Sequence, residues 1–246
     1  MTTWQMLTAV VLVLSIPGLA SAQFDFTTID VPGSTRTAAN ANSTHEVVGE
    51  FDDADGNTHG FVLSKGEYTQ IDVPGASVTT VNGINANGEF VGSYIVDGGL
   101  PHAFLWSKGV FTAPFEPPGA IRSAAGTINA QSQMVGTYRH VSDPARRLGF
   151  LWSKGAFTTF RVPDDGPGGT TVFSINERGQ IAGSYLDPDD KRHGFLLSQG
   201  IYTTIDVPNS TATQVFSINA QGEIVGSYDD TQTPSVTHGF LGVPAR

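Results

Sequence analysis

From residue 24 onward the apolar residues fall in runs of four to seven, rich in Val, Ile, Phe, Tyr and Thr, broken by Gly, Asn, Asp and Pro. No stretch of ten or more carries the three-and-four spacing of an amphipathic helix, so the pattern predicts short strands joined by turns. The strands come in copies. The phrase INANGEFVGSY at 84–94 has its Asn repeated as Asn42, Asn85, Asn129, Asn176 and Asn219, at intervals of 43, 44, 47 and 43 residues. A second phrase, HGFVLSKG at 59, returns at 102, 148, 193 and 238; a third, FTTIDVPG at 26, returns at 68, 157 and 202 and more loosely as FTAPFEPPG at 111.

Each unit of roughly 45 residues therefore offers four strands, the period of a propeller blade. Past its first 22 residues the chain opens on the third phrase, and it ends on a solitary copy of the second, HGFL at 238–241. The expected fold is all-β, a five-bladed β-propeller of four-stranded blades with its ring closed by pairing of the C-terminal strand with the N-terminal strand. In each blade the INxxG phrase forms the hairpin of inner strands A and B, HGF or HAF is strand C, and IDVP ends outer strand D. A parallel β-helix is the alternative, but its coils call for shorter, more uniform periods.

Residues 1–22 read as a signal peptide. Leu7 to Leu14 is an apolar run too short to span a bilayer, and Ala20-Ser21-Ala22 places cleavage before Gln23, although the first six residues lack Lys and Arg. Residues 23–246 then form a single propeller domain, secreted or periplasmic and not membrane-inserted after signal removal.

HAFLWSKG together with INxxGxxVGxY resembles the bacterial HAF-repeat family of extracellular repeat proteins, spelled here by His102, Ala103 and Phe104. The resemblance spans nearly all of 24–246 and implies export and a propeller-like repeat; it implies no reaction. Leu148 replaces the His, Phe115-Glu116-Pro117-Pro118 replaces IDVP, and His45 stands where the first turn would have Gly.

A residue that recurs in most units answers a packing problem common to them; a ligand site breaks the symmetry. On that rule His59, His102, His193 and His238 are structural, being too far apart around a ring to share a metal, and the recurrent Asn is a turn residue. Trp106 and Trp152 occupy positions filled elsewhere by Leu63 and Leu197 and read as packing between blades, and Asp30, Asp72 and Asp206 read as charges on the outer edge. The loops between strands B and C do not repeat. They share one rim with the D-to-A connections, where a rigid β scaffold carries function.

Chemistry on that rim is mostly acidic. Asp52, Asp55, Asp187, Asp189 and Asp229 are the candidate catalytic carboxylates of a glycoside hydrolase or polysaccharide lyase. Asp53, Asp55 and Asn57 resemble half a calcium loop, so Ca²⁺ is the one metal considered and no cofactor is required. Arg139, His140, Arg146 and Arg147, in the longest of these loops, are the candidate ligand-binding set for an anionic sugar or a partner's carboxylate.

Net charge narrows the partners. With 13 basic and 23 acidic residues the chain carries −10, which disfavours nucleic acid and anionic membranes. There is no Cys, hence no disulfide, thiolate metal site or Cys nucleophile. The expected function is a secreted, non-catalytic binding or scaffold module, monomeric, recognising an extracellular polysaccharide or surface protein through its loop rim. A carbohydrate-cleaving enzyme and a structural matrix protein are the alternatives.

Overall fold

The computed structural model describes residues 27–230 and 236–244. The apolar leader and its expected cleavage point lie outside them, as does Phe26, which opens the third phrase. All regular structure in the described residues is β. The first antiparallel meander comprises β1 (Arg36–Asn42), β2 (Glu46–Asp52), β3 (Thr58–Ser64) and β4 (Glu67–Ile71); the second, β5 (Val78–Ile84), β6 (Phe90–Ile95), β7 (His102–Ser107) and β8 (Val110–Thr112). The third is β9 (Ala120–Ile128), β10 (Met134–His140), β11 (Asp143–Ser153) and β12 (Ala156–Phe160); the fourth, β13 (Thr170–Ile175), β14 (Ile181–Leu186), β15 (Arg192–Ser198) and β16 (Ile201–Ile205). A fifth has three described strands, β17 (Ser210–Ile218), β18 (Ile224–Asp230) and β19 (Thr237–Gly242). One parallel bridge, Thr58 to Val78, joins the first two units.

Turn chemistry sets these hairpins. In the C-to-D turns, Lys65 and Gly66 both have positive φ (51° and 84°), as do Lys108 and Gly109, Lys154 and Gly155, and Gln199 and Gly200. Two left-handed residues in succession make the turn whose twist matches that of the strands, which is why Ser-Lys-Gly or Ser-Gln-Gly recurs there. In the A-to-B turn, Asn85 Oδ1 accepts the backbone N–H groups of Asn87 and Glu89, each at 3.0 Å. Its Nδ2 donates to the Asn129 carbonyl of the next unit at 3.0 Å. Asn129 reaches Asn176 in the same way at 3.1 Å, and Asn176 reaches Asn219 at 2.8 Å.

The Gly of GSY and the Phe of HGF belong to one contact. A Cβ on Gly92 would lie 1.9 Å from the Thr80 carbonyl oxygen and 2.9 Å from the Phe104 ring; Gly49, Gly136, Gly183 and Gly226 meet the same pair of obstacles. The space left by Gly lets Phe61, Phe104, Phe150 and Phe195 lie fully buried against the hairpin. Each such ring contributes on the order of 2 kcal/mol by its burial. Strand C also faces the next unit. A Cβ on Gly60, Gly149 or Gly194 would strike Val81, Val172 or Val215 at 2.7–2.8 Å, whereas Ala103 packs in one cluster with the smaller Ala125. Thus HAF replaces HGF where the neighbouring Val has become Ala.

Apolar clusters fill the contacts between consecutive units. The fifth unit ends this series. Val225 is 44% exposed and Leu241 64%, while Val91, Val135 and Ala182, the counterparts of Val225, are fully buried. Among the described residues β19 pairs with β18 alone, and residues 27–31 form no strand. Yet Val31 N–H donates to Thr37 Oγ1 at 3.1 Å, the same staple that joins Val73 to Thr79, Val162 to Thr170 and Val207 to Thr213. The inner strands of all five units line one cavity of about 550 Å³, including Asn40, Asn82, Thr127, Phe173 and Phe216.

Candidate functional site

Strand direction puts the B-to-C loops and D-to-A connections on one rim, and the strand C histidines stand just below it. His59 lies between two carboxylates, with Nδ1 3.0 Å from Asp72 and Nε2 3.3 Å from Asp53. His193 repeats this with Asp206 at 2.8 Å and Asp187 at 3.1 Å. His102 has Glu116 at 3.1 Å, and His238 has Asp230 at 3.2 Å. The imidazoles also stack on strand B rings, His193 on Tyr185 and His238 on Tyr228. Asp72 and Asp206, read from sequence as edge charges, are thus one jaw of a histidine clamp. Burial works against protonation of His59, but the bonds to Asp72 and Asp53 outweigh it and raise its pKa.

The clamp accounts for much of the acidic rim. Asp53 Oδ1 accepts the N–H groups of Asp55 and Asn57, and its Oδ2 accepts Asn57 Nδ2 and faces His59. Side-chain and backbone donation by Asn57 holds its pKa down to about 2. The half calcium loop is therefore folded around Asp53, and the described residues contain no cluster of three or more His, Asp or Glu able to hold a metal. Asp187 closes its loop likewise through the N–H groups of Asp189 and Lys191. Asp52 accepts Thr58 Oγ1 at 2.8 Å, and Asp229 accepts Thr237 Oγ1 at 2.7 Å. Asp55 and Asp189 sit exposed at loop tips.

The third unit departs from this scheme. Leu148 takes the place of the histidine, and Arg161 the place of Asp72. The rim charge is reorganised around Asp165, whose carboxylate is fully buried. Its Oδ1 pairs with Arg146 at 2.7 Å and Arg161 at 2.9 Å, and its Oδ2 accepts Thr170 Oγ1 at 2.9 Å. Arg146, one of the expected ligand residues, is therefore committed within the fold. So is His140, whose Nδ1 bonds Ser142 at 2.7 Å and whose ring packs over Gly119.

Arg139 and Arg147 are different. Arg139 Nη1 donates to the Pro144 carbonyl and Arg147 Nε to the Gly168 carbonyl, and neither has a carboxylate partner among the described residues. Arg122 stands directly opposite Arg139 across the β9–β10 pair. Arg192, at the head of strand C in the fourth unit, donates to Gln214 Oε1 at 3.3 Å. Burial, and then repulsion from Arg139, Arg192 and Arg122, lowers the Arg147 pKa. All four side chains are half-buried, and among the described residues none forms an ion pair. Arg122 and Arg192 stand outside the ligand set expected from the sequence. The β9–β10 register slips by one residue between Met134 and Gly136 and again between Arg139 and His140, so counting back from the turn does not bring Arg122 to Arg139.

Two pockets open on this rim. The first, about 110 Å³, is lined by Pro101, Arg122, Ser123, Tyr138, Arg139 and Arg147. The second, about 320 Å³, is lined by Arg192, Thr213, Gln214, Tyr228, Asp229 and Thr237. They are counterparts within the repeat. Ser123 corresponds to Thr213 and Tyr138 to Tyr228, while Pro101 and Arg192 each immediately precede a strand C histidine. Of the five candidate catalytic carboxylates, Asp229 lines the second pocket and none lines the first.

Repeated antiparallel meanders, inner strands about a common cavity and loops gathered on one rim define a β-propeller. Solved structures with TM-scores above 0.5 agree on the fold. A candidate TolB from Agrobacterium tumefaciens aligns with a TM-score of 0.57 at 12% identity, over 80% of this chain and 72% of that one. An arginine-to-alanine triple mutant of AofleA from Arthrobotrys oligospora aligns at 0.53 and 14%, over 85% and 70%. A fungal lectin from Aleuria aurantia, described as a six-bladed β-propeller with a fucose recognition mode, aligns at 0.45 and 13%, over 84% and 77%. At such identities the likeness is one of fold. No protein-family model and no curated protein matches the chain.

Proposed function

We propose that the protein is an exported, non-catalytic β-propeller that binds carbohydrate through its loop rim, one sugar residue to a pocket. The observation that carries this reading is the recurrence of a small pocket at equivalent places in the third and fifth units. A rigid scaffold that repeats a shallow, mixed polar and apolar pocket suits a ligand that is itself a repeat of small units, and two linked weak contacts multiply into useful avidity. The proposal includes a monomeric, secreted or periplasmic protein, kinship with HAF-repeat proteins, and a five-bladed ring closed by pairing of the C-terminal strand with the N-terminal strand. It requires no cofactor, so chelating calcium leaves binding unchanged.

Retention of the mature protein on a panel of immobilised polysaccharides tests it. Saturable retention on at least one, competed by its own oligosaccharide and without product release, is the expected result. Absence of retention across neutral and acidic polymers would overturn the reading.

A further inference from the structure

We infer that the pocket of the third unit is a subsite for a carboxylate-bearing sugar, a uronate residue of an acidic polysaccharide, held by Arg122, Arg139 and Arg147. This rests on the carbohydrate-binding reading and names the kind of residue bound.

The charges are arranged against the stability of the free protein. Acids outnumber bases 23 to 13, and Arg36, Arg146 and Arg161 all have carboxylate partners. Three arginines at one pocket, with no ion pair among the described residues, are therefore not explained by a shortage of acids. Like charges directly opposite in an antiparallel pair repel, and Arg122 and Arg139 are so placed. Glu116, bonded to the lining residue Ser123, is turned toward His102 and forms no ion pair with the arginines. A group of positive charges kept half-buried without a counter-charge is one that a bound anion completes.

The pocket specifies which anion. At about 110 Å³ it admits one acid group and the edge of a ring, not a polymer laid lengthwise. Planar guanidinium forks match a carboxylate, and Pro101, Ala124 and Tyr138 supply an apolar wall for the C–H face of a sugar.

Calorimetric titration of the mature protein with oligogalacturonate, its methyl ester and a neutral glucan separates the possibilities. Acid oligosaccharide is expected to bind about tenfold more tightly than its ester, the contrast of one lost charge-assisted contact. Binding should weaken severalfold as salt rises. Arg139→Gln and Arg122→Gln should each reduce affinity about tenfold while raising the thermal midpoint, because each removes a repulsion. A residue with only a structural role would lower that midpoint. Equal binding of acid and ester, or binding of the acid untouched by both substitutions, would overturn the inference and leave the glycan reading intact; retention on no polysaccharide at all would defeat both.

Discussion

The first and third units meet at the same rim with opposite chemistry. In the first, His59 sits between Asp53 and Asp72; in the third, Leu148 and Arg161 occupy the matching places, and the positive charge has moved onto Arg122, Arg139 and Arg147. Both loci of the clamp change together, since a lone histidine or a lone aspartate would have lost its partner. Where a unit keeps the clamp, its acids serve the fold. Where it is lost, the rim is free to present charge outward, and adjacent residues divide the work: Arg146 faces the buried Asp165, Arg147 the pocket.

That division gives the largest expected effect. Arg146→Ala leaves the buried Asp165 carboxylate with Arg161 as its one remaining cation and should cost about 3 kcal/mol in urea denaturation, whereas Arg147→Ala should leave stability level or slightly higher. Equal losses would erase the distinction between the two neighbours. Next comes the packing common to every unit. Gly92→Ala drives a methyl group into the Thr80 carbonyl and the Phe104 ring and should cost about 2 kcal/mol. Third is the exchange of sizes between units. Ala125→Val should clash with Ala103, and adding Ala103→Gly should recover the loss, giving a coupling of about 1 kcal/mol in a double-mutant cycle.

The smallest effect is electrostatic. His59 has a raised pKa in the folded protein, so its stabilisation is complete below the ordinary histidine value of about 6.5 and is lost as pH rises through the raised one. Thermal midpoints measured across neutral pH should show this decline, and His59→Gln should flatten that part of it. Asp53 has the opposite sign. Its contribution is present above about 3.8 and disappears as acid takes the pH toward about 2.

Strand order, turn positions and the structural role of the recurrent Asn were legible in the sequence because they are local and repeated. The Ser-Lys-Gly turn can be recognised from a single phrase. Pairings between phrases were not. Nothing in HGF says that its His will reach back to Asp53 and forward to Asp72, since the two acids lie on either side in the chain and come together only when B, C and D align. Nor could residues 139–147, read from the sequence as a loop but folded as the facing ends of β10 and β11, be divided into Arg146, turned to the fold, and Arg147, turned out. That depends on the bulge between Tyr138 and His140, which changes which side chains share a face. Arg192 was hidden for a related reason, since it belongs to a different unit and approaches the others only through the ring.

The asparagine ladder from Asn85 to Asn219 has a bearing on how such a chain could have grown. Every rung points the same way, from an amide to the carbonyl of the following copy, and each is made of identical parts. No rung registers how many others exist. A duplication that inserts a whole module would find both its acceptor and its donor waiting, so copy number is free to drift until the curvature of the stack, or the fit of the two chain ends, selects a value. What evolution can then alter cheaply is one copy at a time, as it has in the third.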